Sequence, residues 1–176
     1  MIDPAAWKVA RRVAARSFGT SFHFSVASLA ADGSPRLTPV GSVMLSEEPG
    51  HLVFVELFAH GLAARLDADP RICLMGVDSG RLLWLSSLWR ARFPSPPALR
   101  MWGQASPSSR PITPDEERRW LRRVGWLRRT RGGARLWGHP GPVRDVRVES
   151  LDGVGLAGMA PRIDRPHDAT RRILRA

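Results

Sequence analysis

The chain has 176 residues, of which 43% are hydrophobic, and these values predict one globular domain with a sizeable core. Twenty-seven basic residues against 16 acidic ones give a formal net charge of +11, and every basic residue except Lys8 is an arginine. The single cysteine excludes an intrachain disulfide framework and a cysteine-rich zinc site, and no apolar run approaches the ~18 residues of a membrane span.

A helix and a hairpin are predicted at the start of the chain. Residues 4–17 carry apolar side chains at helical spacing after a proline suited to a first turn. Residues 22–30 alternate as a strand, and the Asp-Gly pair within 31–35 favours a hairpin turn. A second strand is predicted over 36–45, where Pro39 indicates an edge or a bulge because proline donates no ladder hydrogen bond.

The middle of the chain is predicted to contain several strands and one short helix. Residues 60–68 have helical spacing, and Pro70 disfavours helix at the residue before it. The other segments are short apolar or alternating runs separated by turn residues. The predicted strands are residues 52–58, 71–77, 81–87 and 98–105, with an irregular loop over 88–97.

The positive charge is concentrated in the next segment. Thr113 and Glu116 have the spacing of a capping box, so a helix is predicted to begin there. From Arg118 to Arg144 there are nine arginines and no acidic residue, so the rest of the chain is nearly neutral. We expect a basic helix and loop over residues 113–135, with 128–135 as the loop, which attracts anions.

The last elements complete an all-antiparallel pattern. A strand is predicted over 143–149, a hairpin turn at 152–153 and a final strand over 154–159. About seven short strands with helical appendages predict an α+β barrel or sandwich. We expect residues 1–160 to form a single domain, in which the N-terminal helix (4–17) and the basic helix and loop (113–135) are the appendages. Residues 161–176 are expected to form a tail with little structure.

The order of motifs between residues 22 and 77 is more specific than any one of them. A strand (24–29) is followed by an Asp-Gly-x-Pro turn and a strand (36–41). A strand at 52–55, a helix that ends in Asp-Pro-Arg and a strand at 72–74 complete the order. This order resembles the flavin-binding split-barrel family, the pyridoxamine-phosphate-oxidase-like proteins of the general-stress-protein type. The resemblance implies an antiparallel split β-barrel of six to seven strands.

The same resemblance implies a homodimer with a cofactor at each subunit interface. Members usually bind FMN, and others use a deazaflavin or haem. By position, the contacts to the flavin ring and ribityl chain are Arg36, Leu37, Thr38, Pro39, Val40 and Gly41. The contacts to the phosphate are Phe58, Ala59, His60, Gly61 and Leu62, at the start of a helix whose free N–H groups favour anions. Gln104 matches a position where members place a polar cofactor contact.

The chain departs from the family pattern at two of these positions. Members commonly have Ser or Thr near position 60 and Lys near position 62, where this chain has His60 and Leu62. Arg36, Arg65 or Arg71 are the candidates to replace the missing lysine, because a guanidinium pairs well with phosphate oxygens.

The protein is therefore expected to be an FMN-dependent oxidoreductase in the cytoplasm that acts on a small substrate. If that substrate is anionic, the basic segment would attract it. No residue is assigned a catalytic or metal-ligand role, and no membrane partner is expected. Two alternatives stay open, a haem- or deazaflavin-binding relative, and a module that binds nucleic acid or an acidic partner through residues 118–144. Cys73 is expected to be a buried small hydrophobe, and Trp84, Trp89 and Trp102 to pack in the core.

Overall fold

The computed structural model describes residues 2–56, 60–138, 140–161 and 163. Its elements in chain order are α1 (Pro4–Ser21), β1 (Phe24–Leu29), β2 (Pro35–Val40), β3 (Met44–Leu45), β4 (His51–Val55), α2 (His60–Ala68), β5 (Arg71–Val77), α3 (Arg81–Trp89), β6 (Ala98–Ala105), α4 (Pro114–Val124), a 3-10 turn (Leu127–Arg129), α5 (Arg131–Trp137) and β7 (Val143–Val154).

The seven strands form one antiparallel sheet that curls on itself. Their order is β2-β1-β5-β6-β7-β4-β3, so the two edge strands are neighbours in the chain. Val40 ends β2 and Met44 begins β3, and four Cα steps span at most about 14 Å. The two edges must therefore lie close together, which makes the sheet a half-barrel. The predicted α+β split barrel is confirmed.

Apolar side chains on the inner face of the sheet form the main core with α1 and α2. Asp3 caps α1, because its Oδ2 accepts the N–H of Ala6 at 2.9 Å. Trp7 and Val13 of α1 are buried against β1, β5 and β6. Leu62 and Leu66 of α2 belong to the same cluster. A smaller second core joins Trp120 and other apolar residues of α4 to Phe18, β3, β4 and β7.

Several sequence predictions are confirmed closely. The helix over 60–68 and the strands over 71–77 and 98–105 have the predicted bounds. Pro39 lies in an edge strand, where its missing N–H leaves no ladder bond unmade. The capping box of α4 is present, because Thr113 Oγ1 accepts the Glu116 N–H and the Glu116 carboxylate accepts the Thr113 N–H.

The predicted strand over 36–45 is confirmed over residues 36–40, in β2, and at 44–45, in β3, but it is not continuous, because the chain crosses between them from one edge of the sheet to the other. At Gly41 a Cβ would lie 2.8 Å from the carbonyl oxygen of Phe22, so only glycine allows this approach. Ser42 then binds both backbone groups of Val55. Its Oγ accepts the Val55 N–H at 3.0 Å and donates to the Val55 carbonyl at 2.8 Å. These two bonds draw the following residues onto β4.

The segment predicted as a strand over 81–87 is helical. Leu82, Leu85 and Leu88 are three residues apart, so they share one helical face, and that face is exposed. The opposite face holds Trp84, whose Nε1 donates to the Asp78 carbonyl at 2.8 Å. Trp89 is 92% exposed, so the expectation that it packs in the core is also wrong.

Two further predictions are corrected near the end of the chain. The basic loop over 128–135 is a 3-10 turn followed by α5, which Thr130 caps by accepting the Gly133 N–H at 3.0 Å. The hairpin at 152–153 and the strand over 154–159 are absent from the described residues. Instead β7 continues to Val154, because Asp152 and Gly153 pair with β6. Most of the predicted tail, 161–176, lies outside the described residues.

Candidate functional site

The guanidinium of Arg65 lies between the start of α2 and the edge of the sheet. Its Nε donates to Ser28 Oγ at 2.8 Å, and its Nη2 donates to Thr38 Oγ1 at 2.9 Å. Nη1 lies at the first turn of α2, where a Cβ on Gly61 would be 3.3 Å away. Among the described residues no carboxylate pairs with Arg65, so its charge is met there only by neutral hydroxyls. Such a guanidinium is suited to an anion.

Arg36 adds a second positive charge beside Arg65. Arg36 lies opposite Ser28 in the β1–β2 register, so its side chain leaves the sheet on the same face as that of Thr38. Arg36 is exposed, and no ion pair involves it in the part of the chain that the structure describes. The predicted contacts Arg36, Thr38 and Arg65 are therefore brought together.

A buried ion-pair network fixes the position of α2. The side chain of Arg144, on β7, is only 2% exposed and binds Glu56, which precedes α2. It also binds Asp67 in the last turn of α2, with Nη2 2.8 Å from Oδ1, and donates to the Ser106 carbonyl. Burial alone would lower the pKa of Arg144, but the hydrogen bonds to Glu56 and Asp67 outweigh it and raise that pKa. Arg144 thus ties to β7 both the last turn of α2 and Glu56, the residue that follows β4.

A cavity of about 330 Å³ lies beside β2. Four of the predicted flavin-ring contacts line it: Thr38, Pro39, Val40 and Gly41. The other lining residues come from the segment before β1, the crossover to β3 and the basic region: Phe22, His23, Ser42, Trp120, Leu136 and Trp137. Leu37 is 75% exposed and does not line this cavity. The structure therefore places α5 directly across from the predicted ring segment.

A second groove, of about 360 Å³, crosses β1, β5 and β6. Ser28 is among its lining residues, so Arg65 binds one residue of this groove and one of the cavity beside β2. Gln104 belongs to this region, since its Nε2 donates to the lining residue Glu149 at 2.9 Å. Gln104 is therefore not placed beside residues 38–41.

The other candidates have different surroundings. His60 and Gly61 are exposed in the first turn of α2, whereas Leu62 is buried in the main core and faces away from solvent. The guanidinium of Arg71 is occupied by Asp69, with Nη2 2.6 Å from Oδ2. That hydrogen bond lowers the pKa of Asp69 to about 2. Phe58 and Ala59 lie outside the described residues.

Two residues predicted to be core instead line the groove across β5 and β6. Cys73 is half-buried there, and burial raises the pKa of its thiol, so it is a neutral thiol at pH 7. Trp102 is also half-buried, and the guanidinium of Arg100 lies 5.5 Å from its ring centroid. Both expectations of core packing are therefore wrong. The outer face of the sheet instead presents apolar surface at this point.

Sequence reasoning missed the network around Arg144. The charge pattern assigns that arginine to the basic segment, although the alternation of residues 143–149 places it on the same face as Val146 and Val148. Both valines are buried. A charge on a buried face needs partners, so this alternation was the available signal.

The described residues contain neither a metal-binding cluster nor a membrane-spanning helix. In those residues no group of three or more His, Cys, Asp or Glu side chains is arranged to hold a metal ion. Nor does any helix in the described ranges have the length and apolar character needed to cross a membrane.

Comparison with known proteins found one matching family model and several similar solved structures. A sequence model of the family described as pyridoxamine 5'-phosphate oxidase matches residues 14–132. A search of curated proteins found no match. Among solved structures, an FMN-binding protein from Syntrophomonas wolfei subsp. wolfei is 8% identical, with a TM-score of 0.56 over 85% of this chain and 88% of that chain.

Two further solved structures are similar to this chain. HupZ from Group A Streptococcus is 17% identical, with a TM-score of 0.52 over 85% of this chain and 96% of that chain. The heme storage protein HutZ from Vibrio cholerae is 14% identical, with a TM-score of 0.41 over 77% of this chain and 87% of that chain.

Proposed function

The chain belongs to the pyridoxamine 5'-phosphate oxidase family, and from this membership and the surroundings of Arg65 we propose that it binds FMN. One observation carries the proposal. Four predicted ring contacts line one cavity, and Arg65, bonded to one of them, has no carboxylate partner among the described residues.

The residues around Arg65 fit a phosphate group. Arg65 and Arg36 supply two guanidinium groups, which pair well with phosphate oxygens. Ser28 and Thr38 hold Arg65 in place through neutral hydroxyls, so no internal anion competes with the phosphate in the described part. The backbone N–H groups in the first turn of α2 favour an anion as well. Arg65 thus supplies the charge that the buried Leu62 cannot.

The cavity beside β2 fits a flat, largely apolar ring with polar edges. Phe22, Leu136 and Trp137 provide apolar and aromatic walls. Because β2 is an edge strand, one row of its backbone groups has no partner strand, and at Pro39 this row offers a carbonyl but no N–H. Such a carbonyl can accept a hydrogen bond from an N–H of a flavin ring.

We further propose that the protein is a flavin-dependent oxidoreductase acting on a small substrate. When bound, FMN supplies the hydride chemistry, so the protein needs no Ser-His-Asp or paired-carboxylate site of its own. The chain's residues would bind the phosphate, orient the ring and exclude water from it. Arg131 and Arg135 lie on α5, whose Leu136 and Trp137 line the cavity, so they would attract an anionic substrate to its mouth.

A homodimer with the cofactor at the subunit interface is part of the same proposal. The half-buried apolar residues Ala27, Cys73 and Trp102 on the outer face of the sheet support it, because a second copy would cover them. Ser28 also lines this groove, and its hydroxyl accepts a hydrogen bond from Arg65, which is proposed to hold the phosphate.

The proposal is tested by absorption spectroscopy and FMN titration of the purified protein. We expect a band near ~450 nm, or its appearance after incubation with FMN, because bound flavin absorbs there. Removing a charge-assisted hydrogen bond costs about 1.5–3 kcal/mol, so Arg65→Gln should weaken FMN binding by about 10- to 150-fold. Arg71→Gln is the matched control, since Asp69 already occupies that guanidinium.

Three results would contradict this proposal. A protein that stays colourless with FMN is not a flavoprotein, and a Soret band in the purified protein would identify a haem-binding relative instead. Equal loss of FMN affinity in Arg65→Gln and Arg71→Gln would show that Arg65 has no specific role in holding the phosphate.

A further inference from the structure

A third cavity, of about 300 Å³, lies between α1 and α4. This third cavity and the cavity beside β2 have no lining residue in common. Helix α4 contributes to both, with Trp120 lining the cavity beside β2 and two other residues lining the third cavity. Its lining residues are Arg11, Ala14, Ala15, Phe18, Val43, Met44, Leu45, Arg119 and Arg123. We call this cavity the arginine cleft.

Two arginines one helical turn apart project into the arginine cleft from α4. Arg119 donates to the Leu45 carbonyl through Nη2, and Arg123 donates to the Val43 carbonyl through Nη1. The Arg123 guanidinium also stacks on Phe18, with Cζ 3.7 Å from the ring centroid. These contacts hold both guanidinium groups against the edge of the sheet at β3.

The contacts to the sheet edge use only a few of the N–H donors of Arg119 and Arg123. A guanidinium has five N–H donors, and each of these two groups donates one hydrogen bond to the described residues. No carboxylate pairs with either of them within the described ranges. The remaining donors thus have no protein acceptor in that part of the chain, although both groups line a cavity.

The charge balance in the arginine cleft is strongly positive. Burial, followed by the neighbouring charge of Arg119, lowers the pKa of Arg123 to about 10. Arg11 adds a third guanidinium, 3.3 Å from Glu47, whose side chain is 87% exposed. A solvent-exposed ion pair of this kind is weak, so Glu47 does not balance the cleft. An anion bound between the arginines would relieve both the burial cost and the repulsion.

We propose that the arginine cleft binds a small organic anion that carries a phosphate or carboxylate group and a compact apolar part. Arg119 and Arg123 would bind the anionic group through their remaining N–H donors. The apolar part would contact Ala14, Phe18 and Met44, which line the same cleft. This inference does not rest on the proposed flavin site, since none of its residues belongs to that site.

Calorimetric titration with phenyl phosphate and with inorganic phosphate, at constant ionic strength, tests the proposal on the full chain. We expect saturable 1:1 binding of phenyl phosphate, at least tenfold tighter than that of inorganic phosphate because of the apolar contacts. The double variant Arg119→Gln/Arg123→Gln should weaken binding at least tenfold. Arg122→Gln, an exposed arginine of the same helix, should leave binding unchanged and controls for charge.

Additional variants separate this site from others. If the double variant fails to fold by circular dichroism, Arg11→Gln, on the surface of α1, should still weaken binding at least threefold. Loss of phenyl phosphate binding in Arg65→Gln would place the ligand at the flavin site and overturn the proposal. So would an absence of saturable binding, or equal effects of the double variant and Arg122→Gln. A change in oligomeric state in the double variant, without a change in binding, would show that a partner's carboxylate occupies the cleft.

Discussion

At the scale of single residues, the buried guanidinium of Arg144 links the sheet to the helix that carries Arg65. Its loss would leave the carboxylate of Glu56, whose side chain is 9% exposed, without its cationic partner. Breaking a buried pair in this way costs about 3–5 kcal/mol. We therefore expect Arg144→Gln to lower the free energy of unfolding by about that amount in urea denaturation.

The matched control for that change is Arg147→Gln on the same strand. The side chain of Arg147 is 67% exposed, so its replacement should change stability by no more than about 0.5 kcal/mol. Adding Glu56→Gln to Arg144→Gln should restore part of the loss, because it removes the unpaired charge. Equal stabilities of the two single variants would show that the network contributes nothing.

A second residue-scale prediction concerns acid stability. Arg110 binds the carboxylates of Glu116 and Asp145, and the hydrogen bond from Arg110 is the main cause that lowers the pKa of Glu116 from 4.5 to about 2. A depressed carboxyl pKa contributes stability above the unfolded value, and this is lost as pH falls through the folded value. The contribution should be complete above pH 4.5 and disappear as the pH approaches 2.

The measurement is urea denaturation of the wild type and of Arg110→Gln between pH 6 and pH 3. The variant should be less stable at pH 6, and the gap should narrow as the pH falls below 4.5. A gap that is constant over this range would show that Arg110 acts by packing and not through the charge of Glu116 or Asp145.

At the scale of elements, α3 shows why a short apolar segment misleads. Residues 81–87 contain Leu82, Leu83 and Leu85, which fit a strand by composition. The helix instead buries Ser87 and half of Trp84, and leaves leucines three residues apart in solvent. Hydrophobic periodicity identifies the buried face of a helix on the assumption that the apolar side chains are buried. In α3 the apolar leucine face is exposed, so the assumption fails.

This exposure predicts a small effect on stability when the exposed leucines of α3 are replaced, and a large effect when the buried Phe93 is replaced. Leu82→Gln and Leu85→Gln should each change stability by no more than about 0.5 kcal/mol, because these side chains are 85% and 67% exposed. Phe93→Ala should cost about 3–5 kcal/mol, because Phe93 is buried against Trp84. Thermal and urea denaturation measure both, and large losses in the leucine variants would contradict this placement of α3.

Other elements differ in how far local sequence decides them. The helices α2 and α4 are predictable from sequence. A proline follows the end of α2, and a capping box marks the start of α4. The pair Asp152-Gly153 signals a hairpin, but the eight residues of β6 give β7 a partner as far as Val154. The helix α5 begins at Arg131 and is capped by Thr130, whose capping role is hard to recognise among the surrounding arginines. A long-range partner or an inconspicuous cap decided these elements.

At the scale of the whole molecule, the arginines of residues 118–144 do not form one surface. Arg144 is buried in an ion-pair network, and Arg119 and Arg123 line the arginine cleft. Arg131 and Arg135 belong to α5 beside the cavity at β2. The order of motifs along the chain predicts residues 38–41 and Arg65 as parts of the candidate site.

The sequence does not predict the contact of Ser28 with Arg65, the α5 residues that line the cavity beside β2, or the arginine cleft. These features depend on contacts between elements that are distant in the sequence.

Closure of the sheet is the property that joins these parts, and Ser42 is its most testable residue. Its hydroxyl binds the N–H and the carbonyl of Val55, so it fixes the crossover between β2 and β3 onto β4. Ser42→Ala leaves those buried backbone groups without this partner, which costs about 1–3 kcal/mol. Because Ser42 also lines the cavity beside β2, the same variant should lower FMN affinity in the titration described above.

Ser46→Ala is the matched control for this prediction. The hydroxyl of Ser46 binds the Glu48 carbonyl at 2.8 Å in an exposed turn, where water can replace it. Its loss should change neither the stability by more than about 0.5 kcal/mol nor the FMN affinity. If Ser42→Ala resembles Ser46→Ala in both measurements, the crossover is held by the apolar contacts of Val43 and Met44 alone. The ring cavity would then not depend on the hydrogen bonds that close the sheet.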